Sequence, residues 1–159
     1  MVHITTAMAV GSRRDAVPFR TRAISPRHSV LVVRDDSTNN DFLEAVCEFL
    51  DIGVEHASSG GDLGPLLLGL RPMAVIADLD GEAQDGFHVM KTVADFDRRL
   101  PVLVLTGDEP GIEGAVDAVK EVWGLWRVAT ASGMDRIGEV VDFLCHAARD
   151  AGHSRMMRV

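Results

Sequence analysis

Apolar residues recur along this chain with two different spacings, and from residue 29 onward the two take turns. Short contiguous runs come first: Val30-Leu31-Val32-Val33, Met73-Ala74-Val75-Ile76-Ala77 and Val102-Leu103-Val104-Leu105. Runs this short, bounded by turn residues, read as strands buried on both faces. Between them the spacing becomes i, i+3, i+4, i+7, in Leu43, Val46, Cys47 and Leu50, then in Leu63, Leu66, Leu67 and Leu70. Ile112, Ala115, Val116 and Val119 repeat it, as do Ile137, Val140, Val141 and Leu144. Each set is the core-facing stripe of an amphipathic helix, and Phe87, Met90 and Val93 mark another near 86–97.

Strands are expected near 29–34, 54–58, 73–78, 101–106 and 125–130, with the first two helices near 38–51 and 60–70. Gly53, Gly60, Gly61, Gly81 and Gly107 punctuate the turns. Five strand–helix alternations over 29–150 predict an α/β fold with a parallel sheet. Right-handed crossovers then place the first and fifth helices on one sheet face and the other three on the opposite face. Cys47 and Cys145 would become neighbours on the former.

Composition narrows the reading further. A chain of 159 residues supports one ordinary domain. Residues 1–28 carry five arginines and one aspartate, a net +4 that leaves −12 for the remainder of a chain whose total is −8. Residues 1–28 are therefore expected to be a basic, disordered tail, 29–150 the domain and 151–159 a short C-terminal tail. The acidic body disfavours direct nucleic acid binding. No apolar run is long enough for a membrane span or a signal peptide, so a soluble, cytoplasmic protein is expected. The two cysteines, Cys47 and Cys145, fall within predicted helices and are expected to be reduced. With no CxxC, no HExxH and scattered histidines, a zinc site has little support.

The candidate chemistry sits where the strands end. The first apolar run leads into Arg34-Asp35-Asp36, the run of 73–77 into Asp78, and the run of 102–105 into Thr106-Gly107. In a parallel sheet the carboxyl ends of the strands form the ligand crevice. One aspartate after a buried strand is ordinarily a turn residue. Carboxylate, carboxylate and hydroxyl at neighbouring strand ends are different, because crowded carboxylates require a cation or a phosphoryl partner, and oxygen ligands suit Mg²⁺.

Asp78-Leu79, with Asp85-Gly86-Phe87 seven residues beyond the aspartate, joins Val32-Val33-Arg34-Asp35-Asp36-Ser37 and Thr106 in a pattern that resembles the response-regulator receiver domain of two-component signalling. The resemblance spans 29–150. It implies a flavodoxin-like (βα)5 fold, a doubly wound parallel five-stranded sheet in the order 2-1-3-4-5. It also implies that Asp78 accepts a phosphoryl group from a histidine kinase or phosphotransfer protein. Mg²⁺ would be held by Asp35, Asp78 and the Asp80 carbonyl, with Asp36 assisting. Thr106, followed by Gly107, would reach the phosphoryl oxygens, and Asp85 and Gly86 would form the loop and helix start after the acceptor. Helix four, strand five and helix five would be the surface that switches toward an unknown downstream protein, and the candidate face for a homodimer. With no output domain after residue 150, a stand-alone receiver that is not itself an enzyme is expected.

Three positions depart from that pattern. Arg34 stands where the family often has its first acid, and Glu82 where its loop often has proline. Ala131 stands where receivers present a lysine, and the chain's two lysines, Lys91 and Lys120, both precede that strand. A charge-assisted hydrogen bond is worth roughly 1.5–3 kcal/mol. Turning a switch from mostly off to mostly on takes about 5.5 kcal/mol, so weakened activation is expected. Arg127 is near but differently placed. The usual aromatic on strand five is replaced by Val128 or Leu125, and Trp126 is expected to pack. These departures sustain one alternative, a degenerate receiver that binds a partner without phosphorylation. A remoter one is a haloacid dehalogenase-like phosphatase, suggested by Asp78-Leu79-Asp80-Gly81 and opposed by the two strand–helix units before that motif and the lack of a matching acidic pair after it.

Overall fold

The computed structural model describes residues 28–34, 41–58, 61–78, 83–106, 111–132 and 136–156. Strands and helices alternate throughout: β1 (Ser29–Arg34), α1 (Asp41–Phe49), β2 (Gly53–Ser58), α2 (Leu63–Leu70), β3 (Ala74–Asp78), α3 (Ala83–Phe96), β4 (Val102–Leu105), α4 (Ile112–Trp123), β5 (Val128–Ala131) and α5 (Arg136–Met156). All strand pairs are parallel, and the sheet order is β2-β1-β3-β4-β5, as the sequence resemblance implied. β1 and β3, the most continuously apolar segments, occupy the interior of the sheet, where both faces are covered.

Alternation along the strands divides the core in two. Leu31, Val33, Val75, Ala77, Val102 and Val104 pack under α2, α3 and α4 through Leu67, Met90, Val93 and Val116. Val30, Val32, Ala74, Ile76, Leu103, Leu105 and Ala131 pack under α1 and α5 through Leu43, Cys47, Val140 and Leu144. The helices are thus distributed two and three over the sheet faces, as right-handed crossovers require. Cys47 is buried on the α1/α5 face, Cys145 on α5 is half-buried, and both are free thiols.

Helix ends follow local chemistry. Asp62 caps α2 by accepting from the Gly64 amide at 3.2 Å, and Arg71 closes it in the left-handed region at φ 46°, its amide bonded to the Leu67 carbonyl, just before Pro72. α4 ends at Gly124, φ 67°, where the Leu125 amide still bonds to the Lys120 carbonyl at 3.0 Å.

That cap accounts for one difference from the sequence reading. β5 starts at Val128 rather than at 125, because 124–125 complete the helix terminus. Trp126 consequently lies outside the strand and is 63% exposed, with the Arg99 guanidinium 4.9 Å from its ring centroid. α3 begins at Ala83, three residues earlier than its apolar stripe indicated, and α5 continues to Met156, past the boundary at 150. In α5 the buried line is Val140, Leu144 and Ala147, while Ile137 is 53% exposed. Residues 1–27 and 157–159 lie outside the described residues. Among the described residues no helix is long and apolar enough to cross a membrane.

Candidate functional site

The last residues of all five strands form a single row, in which Ser58 of β2 is in register with Arg34 of β1. Arg34 of β1 is in register with Asp78 of β3, Asp78 with Leu105 of β4, and Leu105 with Ala131 of β5. Asp78 therefore closes the central strand of the sheet at its carboxyl edge, with β1 on one side and β4 on the other. Thr106, one residue past that row, is 5% exposed. Its amide donates to the Ala131 carbonyl at 2.9 Å, and its hydroxyl donates to the same oxygen at 3.4 Å. The hydroxyl is thus turned toward β5, away from the strand that carries Asp78.

Of the other residues singled out in the sequence, Asp85 and Gly86 fall within the first turn of α3 rather than in the loop before it. Ala131 is the last residue of β5 and fully buried. Asp35, Asp36, Asp80 and Gly107 lie outside the described residues, and so does Glu82. Among the described residues no three His, Cys, Asp or Glu side chains gather as a metal site.

Two arginines that sequence reasoning passed over as site groups stand here, Arg34 within the row and Arg136 beside Thr106. Arg34 Nη1 lies 3.6 Å from Glu44 Oε1 on α1, and the same carboxylate oxygen is 3.0 Å from His56 Nε2 on β2. Arg136, first residue of α5, donates from Nη2 to the Thr106 carbonyl at 3.3 Å, with its guanidinium 6.0 Å from the Phe42 ring centroid on α1. One signal for Arg136 was present in the sequence: it is the first basic residue after Ala131. Arg127, the substitute cation that the sequence did suggest, stands at the other end of the sheet, where its carbonyl accepts from the first amide of β4 and its guanidinium pairs with Asp150.

Burial acts on one nearby ionisable group. The Cys47 thiol is pushed up to about 11, chiefly by loss of solvent and secondarily by the charge of Glu44, and stays protonated at neutral pH. Away from the row, a groove of about 530 Å³ runs along β5 between α4 and α5, lined by Lys120, Trp126, Val128, Thr130, Phe143 and His146 among others.

No family model matches this chain, and no curated protein sequence does. Solved structures do match it in fold. One is a transiently phosphorylated switch in bacterial signal transduction, with a TM-score of 0.56 and 21% identity over 77% of this chain and 94% of that one. Another is a response regulator from Colwellia psychrerythraea, with a TM-score of 0.52 and 19% identity over 77% of this chain and 98% of that one. The chain has the receiver fold.

Proposed function

We propose that the chain is a phosphoryl-accepting switch in which Asp78 takes a phosphoryl group from a phosphohistidine on a histidine kinase or phosphotransfer protein. The observation that carries this reading is the position of Asp78 at the carboxyl end of the central strand, in register with Leu105, the residue preceding Thr106. In the transfer, a carboxylate oxygen of Asp78 attacks phosphorus in line, the bond from phosphorus to the imidazole nitrogen breaks, and the imidazole leaves and takes up a proton. The product carries about two negative charges at one point of the sheet edge.

An all-oxygen donor set drawn from Asp35, Asp78 and the Asp80 carbonyl, with Asp36 assisting, suits Mg²⁺. Its fit rests on β1 and β3 being hydrogen-bonded neighbours up to Arg34 and Asp78, the residues that precede these donors in the sequence. When bound, Mg²⁺ would neutralise charge on the transferred group. The rest of the response belongs to the protein: the Thr106 hydroxyl, now bonded to Ala131, turns to the new oxygens and releases its hold on β5. The groove along β5, with the surfaces of α4 and α5 beside it, is the face whose partner affinity then changes. Its partner is a downstream protein or a second copy of the chain.

A second reading, a partner-binding module that works without phosphorylation, is favoured by Ala131 at the end of β5 and by Arg34 in register with Asp78. One experiment separates the two. Incubation with a small-molecule phosphodonor and Mg²⁺, followed by intact-mass measurement, should show one acid-labile phosphate on the wild type and none on Asp78→Asn. Incorporation at the wild-type level in the Asn variant would remove Asp78 as acceptor, and none in either protein would favour the second reading.

A further inference from the structure

β5 is the last strand of the sheet and pairs only with β4. The carbonyls of Arg127, just before the strand, and of Ala131, its last residue, both accept from amides on the β4 side, each at 2.9 Å. Backbone groups alternate in direction along the ladder, so the amides and carbonyls of Val128 and Thr130 face outward. Among the described residues no backbone or side-chain group meets them. Such edges are ordinarily guarded by charge, proline or a bulge. The opposite edge is guarded, since β2 carries exposed Glu55 and His56. β5, Val128-Ala129-Thr130-Ala131, has neither charge nor proline, and Ala129 within it is exposed.

We propose that an extended segment of a partner protein adds to β5 as a sixth strand. The inference rests on the reading of this face as the partner surface, and it chooses between the two occupants named there. The open edge lies in the groove of about 530 Å³ between α4 and α5. A second copy would bring its own α4 and α5 against these walls, whereas a single segment needs only the roughly 4.8 Å of a neighbouring strand. Charge on the walls defines the segment further. Glu139 takes the Ser132 amide and Arg127 pairs with Asp150, which leaves Lys120 on α4 and Asp142 on α5 without ion-pair partners among the described residues. Side chains of an added strand alternate between the sheet faces. On the α5 face, where Ala129 is in register with Leu103, the small alanine leaves room against Phe143 for an apolar side chain, and Asp142 favours a base beside it. On the α4 face Lys120 favours an acid. The segment is therefore apolar and basic on one face and acidic on the other, held by main-chain bonds to Val128 and Thr130.

The probe is a capped hexapeptide, Val-Glu-Val-Glu-Lys-Glu, titrated into the full chain and followed by amide shifts and hydrogen exchange, with and without beryllofluoride and Mg²⁺, a stable mimic of the aspartyl-phosphate. The Val128 and Thr130 amides should shift and become protected, a mark that a helix lodged in the same groove would not leave. Only one alternate set of peptide amides can face β5. Of two peptides N-methylated on one set or the other, one should bind and the other should not. Thr130→Pro removes an outward donor, leaves the β4 ladder whole and should weaken binding about five-fold, the counterpart of one backbone hydrogen bond. Lys120→Glu should also weaken it, and a peptide with lysine in place of each glutamate should recover the loss. Peptide affinity that the mimic does not change would overturn the switch reading while bearing out the added strand. Binding without protection at Val128 and Thr130, equal binding of both methylated peptides, or no binding with or without the mimic would overturn the inference. So would a concentration-dependent dimer that protects the same two amides and that the peptide does not displace. None of these last outcomes bears on Asp78 as acceptor, which the intact-mass experiment decides.

Discussion

Thr106 and Ala131 are joined twice through one oxygen, since both the amide and the hydroxyl of Thr106 donate to the Ala131 carbonyl. The two bonds are unequal. The amide bond at 2.9 Å continues the β4–β5 ladder, whereas the hydroxyl bond at 3.4 Å is near the outer limit of the interaction. The ladder therefore survives if the hydroxyl leaves, and the side chain is available for a stronger acceptor.

Thr106→Val keeps the shape and removes the hydroxyl. Stability measured by urea unfolding should fall by no more than about 0.5–1.5 kcal/mol, the net value of one ordinary hydrogen bond, because the amide still satisfies Ala131. The amide shifts in β5 and α5 that accompany beryllofluoride binding should shrink. Shifts of wild-type size would show that the threonine takes no part in the response.

Replacing Asp35 and Asp78 together by alanine should remove Mg²⁺ binding measured by calorimetry, since the remaining donors would be the Asp80 carbonyl and Asp36. Equal affinity in the variant and the wild type would place any bound Mg²⁺ elsewhere on this acidic chain.

Cys47 makes stability fall at alkaline pH. In the folded protein its thiol titrates near 11, while in the unfolded chain it ionises at the ordinary value of 9.0. Below pH 9 the thiol is neutral in both states and its contribution is complete. Between 9 and 11 the unfolded chain releases a proton that the folded one retains, so stability drops by about 2–3 kcal/mol across that window. Urea unfolding at pH 8 and pH 10 should show a smaller difference in Cys47→Ala than in the wild type, and thiol-labelling reagents should reach the half-buried Cys145 first.

Leu144→Ala should cost about 2–5 kcal/mol, because this fully buried side chain joins α5 to the sheet and leaves a cavity when truncated. Leu68→Ala, at a position 62% exposed, should change stability by only about 0.5 kcal/mol. Comparable losses in both would mean that α5 does not pack on β1, β3 and β4 as described.

Period alone made the architecture legible. The runs at 30–33, 73–77 and 102–105 are too short for helices and too apolar for surface strands, so a parallel sheet with covered faces was their natural solution. The placement of Asp78 and Thr106 followed from where those runs stop. What escaped the pattern depends on side chains that reach across the fold. Trp126 falls within the strand expected near 125–130, but a helix terminus claims the two residues before it, so it stays outside the strand beside Arg99. Arg127 is close to Ala131 in sequence and far from the site in space, because four residues of extended strand separate the two edges of the sheet. Arg136 is five residues beyond Ala131, yet from the start of α5 its guanidinium meets the Thr106 carbonyl at the end of β4.

α5 is fastened to the strands next to it at two widely separated points, Arg136 to the Thr106 carbonyl near its start and Asp150 to Arg127 near its end. About 21 Å of helix lies between them at 1.5 Å per residue. Between them Val140, Leu144 and Ala147 are buried against the sheet and seat the middle of the helix. Loosening of the first turn alone, where Ile137 already faces solvent, would therefore leave the rest of the rod in its seat.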